Sequence, residues 1–152
     1  MGTVVSLNTA GFGTGKDLDS LVVRENYTAT DGGVTLDMTG YARDYIRAGH
    51  IIIKETATGA YKPMPITGDG AASEYDSLPG GHEYYGHAVQ SARVLPANAA
   101  LPTSRGANVG VTYHAKINPL VVDAEAGYFD MSSLLTALRA ALTHVIYRGD
   151  ND

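Results

Sequence analysis

Cysteine is absent from the 152-residue chain, and so is tryptophan. Without thiols there is no disulfide framework and no thiolate metal site. This is consistent with assembly in a bacterial cytoplasm, where disulfides do not persist. Charge is also scarce: Asp, Glu, Lys and Arg make up 18% of residues, against roughly 25% in an average globular protein. Arg and Lys are scattered singly, no basic cluster exists, and the formal net charge is -5. Displacing counterions from nucleic acid needs a basic face, so no nucleic-acid partner is expected. No apolar run approaches the ~20 residues of a membrane span. The N-terminus, M-G-T-V-V-S-L-N-T-A-G, lacks the basic region and apolar core of a signal peptide. The expectation is a soluble protein without a membrane partner.

The length suits one domain with a core of its own. Residues 1–20 read as an N-terminal arm, because Gly11, Gly13 and Gly15 interrupt any regular element after a short strand at Thr3–Leu7. Residues 21–152 read as a single domain. Leu21, Val22 and Val23 predict a strand, and T-D-G-G at 30–33 predicts the turn of a hairpin. Val34, Leu36 and Met38 then alternate with Thr35, Asp37 and Thr39 at strand period.

Ile51, Ile52 and Ile53 are β-branched and favour extended backbone. Thr58 and Gly59 predict a turn, and Tyr61 opens the return strand. Pro63 and Pro65 are expected to keep that strand from the middle of a sheet. The Gly-rich stretch 68–82 predicts a surface loop. Tyr85–Val94 and Val109–Ile117 predict two further strands, the second with Val109, Val111, Tyr113, Ala115 and Ile117 on one face and ended by Pro119. Met131, Leu134, Leu135, Leu138, Leu142, Val145 and Ile146 recur at helical spacing. They predict a helix over 130–148, with Asp130 as N-cap, Arg148 at its negative end and Gly149 just past it. The fold class is therefore α+β: mainly an antiparallel β-sheet or small barrel, one C-terminal helix packed on it, and an extended N-terminal arm.

Groups that would carry chemistry do not fall into working patterns. G-F-G-T-G-K at 11–16 resembles a phosphate loop, but the required first glycine position is Ala10. Asp17 follows Lys16, where the motif needs a hydroxyl. G-H-E-Y-Y-G-H gives His82 and His87 one residue too far apart for a zinc-binding helix. Gly80, Gly81 and Gly86 also oppose a helix there, and a regular strand would point the two rings to opposite faces. No G-x-S-x-G nucleophile elbow is present. No residue is assigned as catalytic, cofactor-binding or metal-ligating, no cofactor is expected, and the chain reads as a non-enzyme. Ten Tyr against two Phe leaves Tyr75, Tyr84 and Tyr85 clustered about the long loop. Tyr suits contact surfaces, because its ring buries area while its hydroxyl stays bonded.

The phrase R-A-G-H-I-I-I-K near residue 50, followed by T-G-A-Y-K-P near 60, resembles the opening of small head decoration proteins of tailed bacteriophages. Y-Y-G-H-A-V near 86 and the closing segment with V-I-Y extend the resemblance over Asp44 to Arg148. The resemblance implies a virion protein that binds the outside of an expanded capsid, with the major capsid protein as partner. It also implies trimers and an arm that orders against the lattice. The alternatives are the base of a head fibre or a carbohydrate-binding appendage carried on the capsid. Either would be made in the host cytoplasm and reside on the virion.

Overall fold

Three consecutive isoleucines organise the structure. Successive strand side chains point to opposite faces of a sheet, and at this position both faces are covered. Ile51 and Ile53 enter one apolar cluster and Ile52 the other, each at most 1% exposed. The computed structural model describes residues 18–94 and 106–149. It is mostly β-sheet, with a curled half-barrel main sheet and one short C-terminal helix. The segment 1–17, with its expected strand and glycine-rich loop, lies outside the described residues, as does most of the connection after Val94.

In chain order the elements are α1 (Asp19–Val22), β1 (Val23–Ala29), β2 (Val34–Asp37), β3 (Tyr45–Ile46), β4 (Ile51–Glu55), β5 (Tyr61–Pro63), β6 (Ile66–Thr67), β7 (Glu74–Tyr75), β8 (His82–Ala88), β9 (Ala92–Arg93), β10 (Gly106–Val109), β11 (Val111–Ile117), α2 (Leu135–Ala141) and β12 (Ile146–Tyr147). The main sheet runs β1-β11-β8-β4-β5-β2-β10, with β12 added beside β11. Gly110 alone separates β10 from β11, yet the two stand near opposite ends of that order. One nearly continuous strand therefore serves both ends, which requires the sheet to curl. The pairs β3-β9 and β6-β7 form small separate ribbons.

Several sequence expectations are corrected by this topology. Residues 19–22 form a helical turn, so the first strand begins only at Val23. The T-D-G-G turn exists, with Gly32 and Gly33 at positive φ and the Gly33 N–H bonded to Thr30 O. It does not close a hairpin, because β1 pairs with β11 whereas β2 pairs with β10 and β5. The Ile51–Pro63 hairpin is present, but β5 is an interior strand between β4 and β2. Pro63 is tolerated there for a geometric reason. The Met64 N–H donates to Ile51 O, so the nitrogen of Pro63 faces the β2 side, where pairing is limited to Leu36 and Tyr61.

The stretch 68–82 is not a plain loop: it carries a 3₁₀ turn at Gly70–Ala72 and strand β7. The expected strand from Tyr85 to Val94 begins earlier, at His82, ends at Ala88 and is followed by the separate β9. The strand expected over 109–117 is divided at Gly110. Val109 and Val111 lie in the cluster around Ile52, Ala115 and Ile117 in the other, and Tyr113 is exposed. Repeated register shifts between β1 and β11 break the simple alternation.

The C-terminal helix is much shorter than its apolar spacing suggests. Asp130 is not the N-cap expected: its carboxylate accepts the Ser132 N–H at 2.8 Å, but Met131 precedes the 3₁₀ turn and Leu134 precedes α2, neither with a side-chain cap. A 3₁₀ turn at Ser132–Leu134 then leads into α2, which ends at Ala141. Leu138, Leu142 and Val145 pack in the core beneath it, as the spacing requires. Ile146 and Tyr147 leave the helix to pair in parallel with Lys116 and Ile117. Strand β8 pairs with β11 only at Val111 and Thr112, so the far half of that edge would otherwise be bare. Pairing there outweighs another helical turn, and the Arg148 N–H donates to Ile117 O rather than serving a helix end.

Candidate functional site

His82 and His87 were the sequence's best metal candidates, and the strand between them is irregular. Ile52 pairs with Gly86 and Ile53 with Tyr84, so β8 carries one extra residue, a bulge. The bulge reverses the expected alternation. His82 pairs with Glu55 and His87 with Ile51, four positions apart on β4 and hence on one face. Four strand residues still separate them by roughly 13 Å. They do not form a site.

His87 is instead a core group. Gly49 O, which can only accept, lies 2.8 Å from its Nδ1, so that nitrogen donates. Its Nε2 therefore accepts from the Tyr147 hydroxyl at 2.7 Å. Burial pushes the imidazole down to about 4, partly offset by the bond to Gly49. His50 follows the same logic. Its Nε2 donates to Met64 O at 3.2 Å, and Nδ1 faces the Tyr75 hydroxyl, which also accepts the Ile51 N–H. Burial pushes His50 down to about 3. Both rings are neutral at physiological pH and act as internal hydrogen-bond links.

The tyrosines expected around the long loop are structural too. Tyr75 is buried, Tyr84 packs against the same core, and Tyr85 meets Tyr61 at a tilt of 56° with centroids 4.7 Å apart. Burial drives the Tyr75 phenol far above its ordinary value. The first part of the phrase that carried the family resemblance, residues 47–53, is likewise interior, whereas residues 58–62 are exposed or half-buried. Arg47, Ala48 and His50 are buried, and the Arg47 Nε donates to Ala126 O at 2.7 Å. Gly49 takes φ +80°, where a Cβ would lie 2.2 Å from Val22 Cγ1. A side chain there would be strained by backbone and by crowding alike. Residues 47–50 build the turn into β4.

Among the described residues, two surface features bear on contact. One is a half-open cleft of about 270 Å³, walled by Tyr41, Pro63, Pro65 and Pro79 with Asp37, Lys62 and His82 at hand. Asp37 accepts the Thr39 N–H at 3.0 Å, and bonding to Thr39 holds its carboxyl below the usual range. Lys62 stands 3.8 Å from Glu55. The cleft thus presents an apolar wall with single, locally engaged charges.

The second feature is an apolar end. Leu120 is 70% exposed, Val122 48% and Leu21 47%. Leu21 lies just before β1, and Leu120 and Val122 just after its antiparallel partner β11. The Asn118 N–H donates to Val22 O at 2.8 Å, tying the two segments together at that end. Isolated exposed leucines are common on proteins, whereas grouped ones mark contact surfaces. The end is anchored from within. The Asp19 carboxylate accepts from the Ser91 N–H and hydroxyl and from the Tyr128 hydroxyl, all within 2.8 Å. Leu18 packs on the core, so residues 18–20, assigned to the arm from sequence, belong to the fold. The signal in the sequence was N-P-L-V-V-D at 118–123, an apolar run after a strand-ending proline.

Among the described residues, no three His, Asp or Glu side chains converge to hold a metal ion, and no helix is long and apolar enough to cross a membrane. Comparison of the chain with family models, curated proteins and solved structures finds no match.

Proposed function

We propose that this chain is a structural, non-enzymatic virion protein that docks on the outer surface of a bacteriophage capsid and stabilises or decorates the shell. The observation that carries the reading is the apolar end formed by Leu21, Leu120 and Val122. It is rigidly backed through Asp19 and lies where the chain emerges from residues 1–17. In this proposal the curled half-barrel is the docking body, the arm supplies additional lattice contacts, and three copies associate around a local three-fold axis. The major capsid protein is the partner. A decorating protein needs only modest affinity at each of many repeated positions, because binding only the assembled state stabilises that state by mass action. The low charge and the use of His50 and His87 as core links support this reading over one built on a reactive centre.

The test is co-sedimentation of purified protein with expanded shells of the coat protein from the same genome, with mass by light scattering. Saturation at a fixed ratio to coat protein, at three times the 16.0 kDa chain mass, is the expected result. The Leu120→Ser/Val122→Ser double variant should remain folded and fail to sediment. Wild-type protein that ignores the shells would overturn the proposal. Retention by a glycan array instead would favour an appendage that uses the cleft beside Tyr41.

A further inference from the structure

The chain has five histidines. Two are consumed in the core, and His82 donates Nδ1 to Gly80 O at 3.0 Å. The remaining two, His114 and His144, are both exposed and face each other with ring centroids 5.9 Å apart. Their meeting follows from register. Strand β12 pairs in parallel with β11, Lys116 beside Ile146 and Ile117 beside Tyr147. The turn that leads into β12 then brings His144 against His114.

We propose that His114 and His144 form a two-histidine site for a divalent transition-metal ion of the zinc, nickel or copper class. Neutral imidazole is a preferred ligand for these ions. An ion bound tetrahedrally to both rings through bonds of about 2.0–2.1 Å sets their centroids roughly 5 Å apart, a short closure from the 5.9 Å of the free pair. Both rings are held before an ion arrives. The Tyr27 ring lies against His114 with centroids 4.9 Å apart. The Tyr27 hydroxyl donates to the Glu25 carboxylate, and Lys116 pairs with Glu25 at 2.8 Å. This chain of contacts orients His114 and engages the Lys116 ammonium. His144 is fixed from the other side, because Leu142 and Val145 flank it in the core and the Val145 N–H closes a turn onto Leu142 O. Two protein ligands leave the other coordination positions to water, so the site is a binding position rather than a closed structural centre. Among the described residues no hydrogen bond occupies either ring.

The experiment is zinc titration of the full chain, followed by calorimetry and by the histidine ring signals in NMR. One ion per chain is expected, with the His114 and His144 signals moving together. The second imidazole acts at high effective concentration, a chelate gain of roughly a hundredfold. His114→Ala and His144→Ala should therefore each weaken binding at least tenfold, while His82→Ala leaves it unchanged. Both residues are exposed, so neither substitution threatens the fold. The proposal is overturned if millimolar zinc does not saturate the wild type, or if either single variant binds as tightly. Loss of binding with His82→Ala would overturn it equally. None of these outcomes depends on capsid binding.

Discussion

Acidification should destabilise this protein well before its carboxylates titrate, and the two buried histidines set the size of the loss. His50 and His87 ionise with their pKa values lowered from 6.5 to about 3 and about 4, because burial disfavours the charged ring. In the unfolded chain both recover ordinary values. Between roughly pH 6.5 and 4 the unfolded state therefore binds more protons than the folded one, and stability falls as pH falls. One pH unit of this mismatch is worth about 1.4 kcal/mol per group. At about pH 5, some 1.5 units below the unfolded value, each histidine costs about 2 kcal/mol and the pair about 4 kcal/mol. That is a large part of the 5–15 kcal/mol typical of a whole domain.

The assay is urea unfolding followed by circular dichroism at about pH 7 and about pH 5, with His87→Gln alongside wild type. Glutamine does not titrate. It keeps one donor for Gly49 O and one acceptor for the Tyr147 hydroxyl. The variant should lose only about 2 kcal/mol over the same interval, half the wild-type loss. Wild-type stability that is flat from pH 7 to 5, or a His87→Gln variant with the full loss, would refute the reasoning.

Three other outcomes follow from packing. Gly86→Ala should cost about 2 kcal/mol or more, because its Cβ would meet the Thr112 carbonyl oxygen at 2.4 Å and neither backbone can yield; thermal unfolding measures this directly. Leu138→Ala empties a fully buried position on the inner face of α2 and should cost about 2–5 kcal/mol by urea titration. Asp19→Ala strands the Ser91 and Tyr128 donors and should lower stability by about 1–3 kcal/mol, with hydrogen exchange rising first at Leu18–Val22.

Local strand chemistry was legible in the sequence wherever it determined the outcome. The three isoleucines, the Thr58–Gly59 turn and the alternation at Val34–Met38 all read correctly, because branching and period two act over a few residues. Partner choice was not legible. The T-D-G-G turn looks like any hairpin turn, and only tertiary pairing sends its two strands to different neighbours. The apolar spacing of 131–146 was real, but its last residues repaired a sheet edge that the spacing does not reveal. At the candidate surfaces, His82 and His87 drew notice by proximity in sequence. His114 and His144 are thirty positions apart and meet only through a parallel register. The bulge at Tyr85 shows the same gap from the other direction: one extra residue reversed the facing of a histidine that alternation had assigned.

The near-continuous strand through Gly110 has a consequence for how the molecule is made. On the ribosome the β4-β5 and β6-β7 hairpins can close as soon as they emerge, since their partners lie close in sequence. Strand β1 must wait for β11, with Val23 meeting Ile117, and β2 must wait for β10, with Val34 meeting Val109. A single late segment therefore supplies the missing neighbour to both waiting strands. Until it is translated, both keep unpaired edges, the condition under which nascent chains stick to one another. The β4-β5, β4-β8 and β2-β5 pairs can form before it, and the closing contacts it adds span most of the chain, which slows folding.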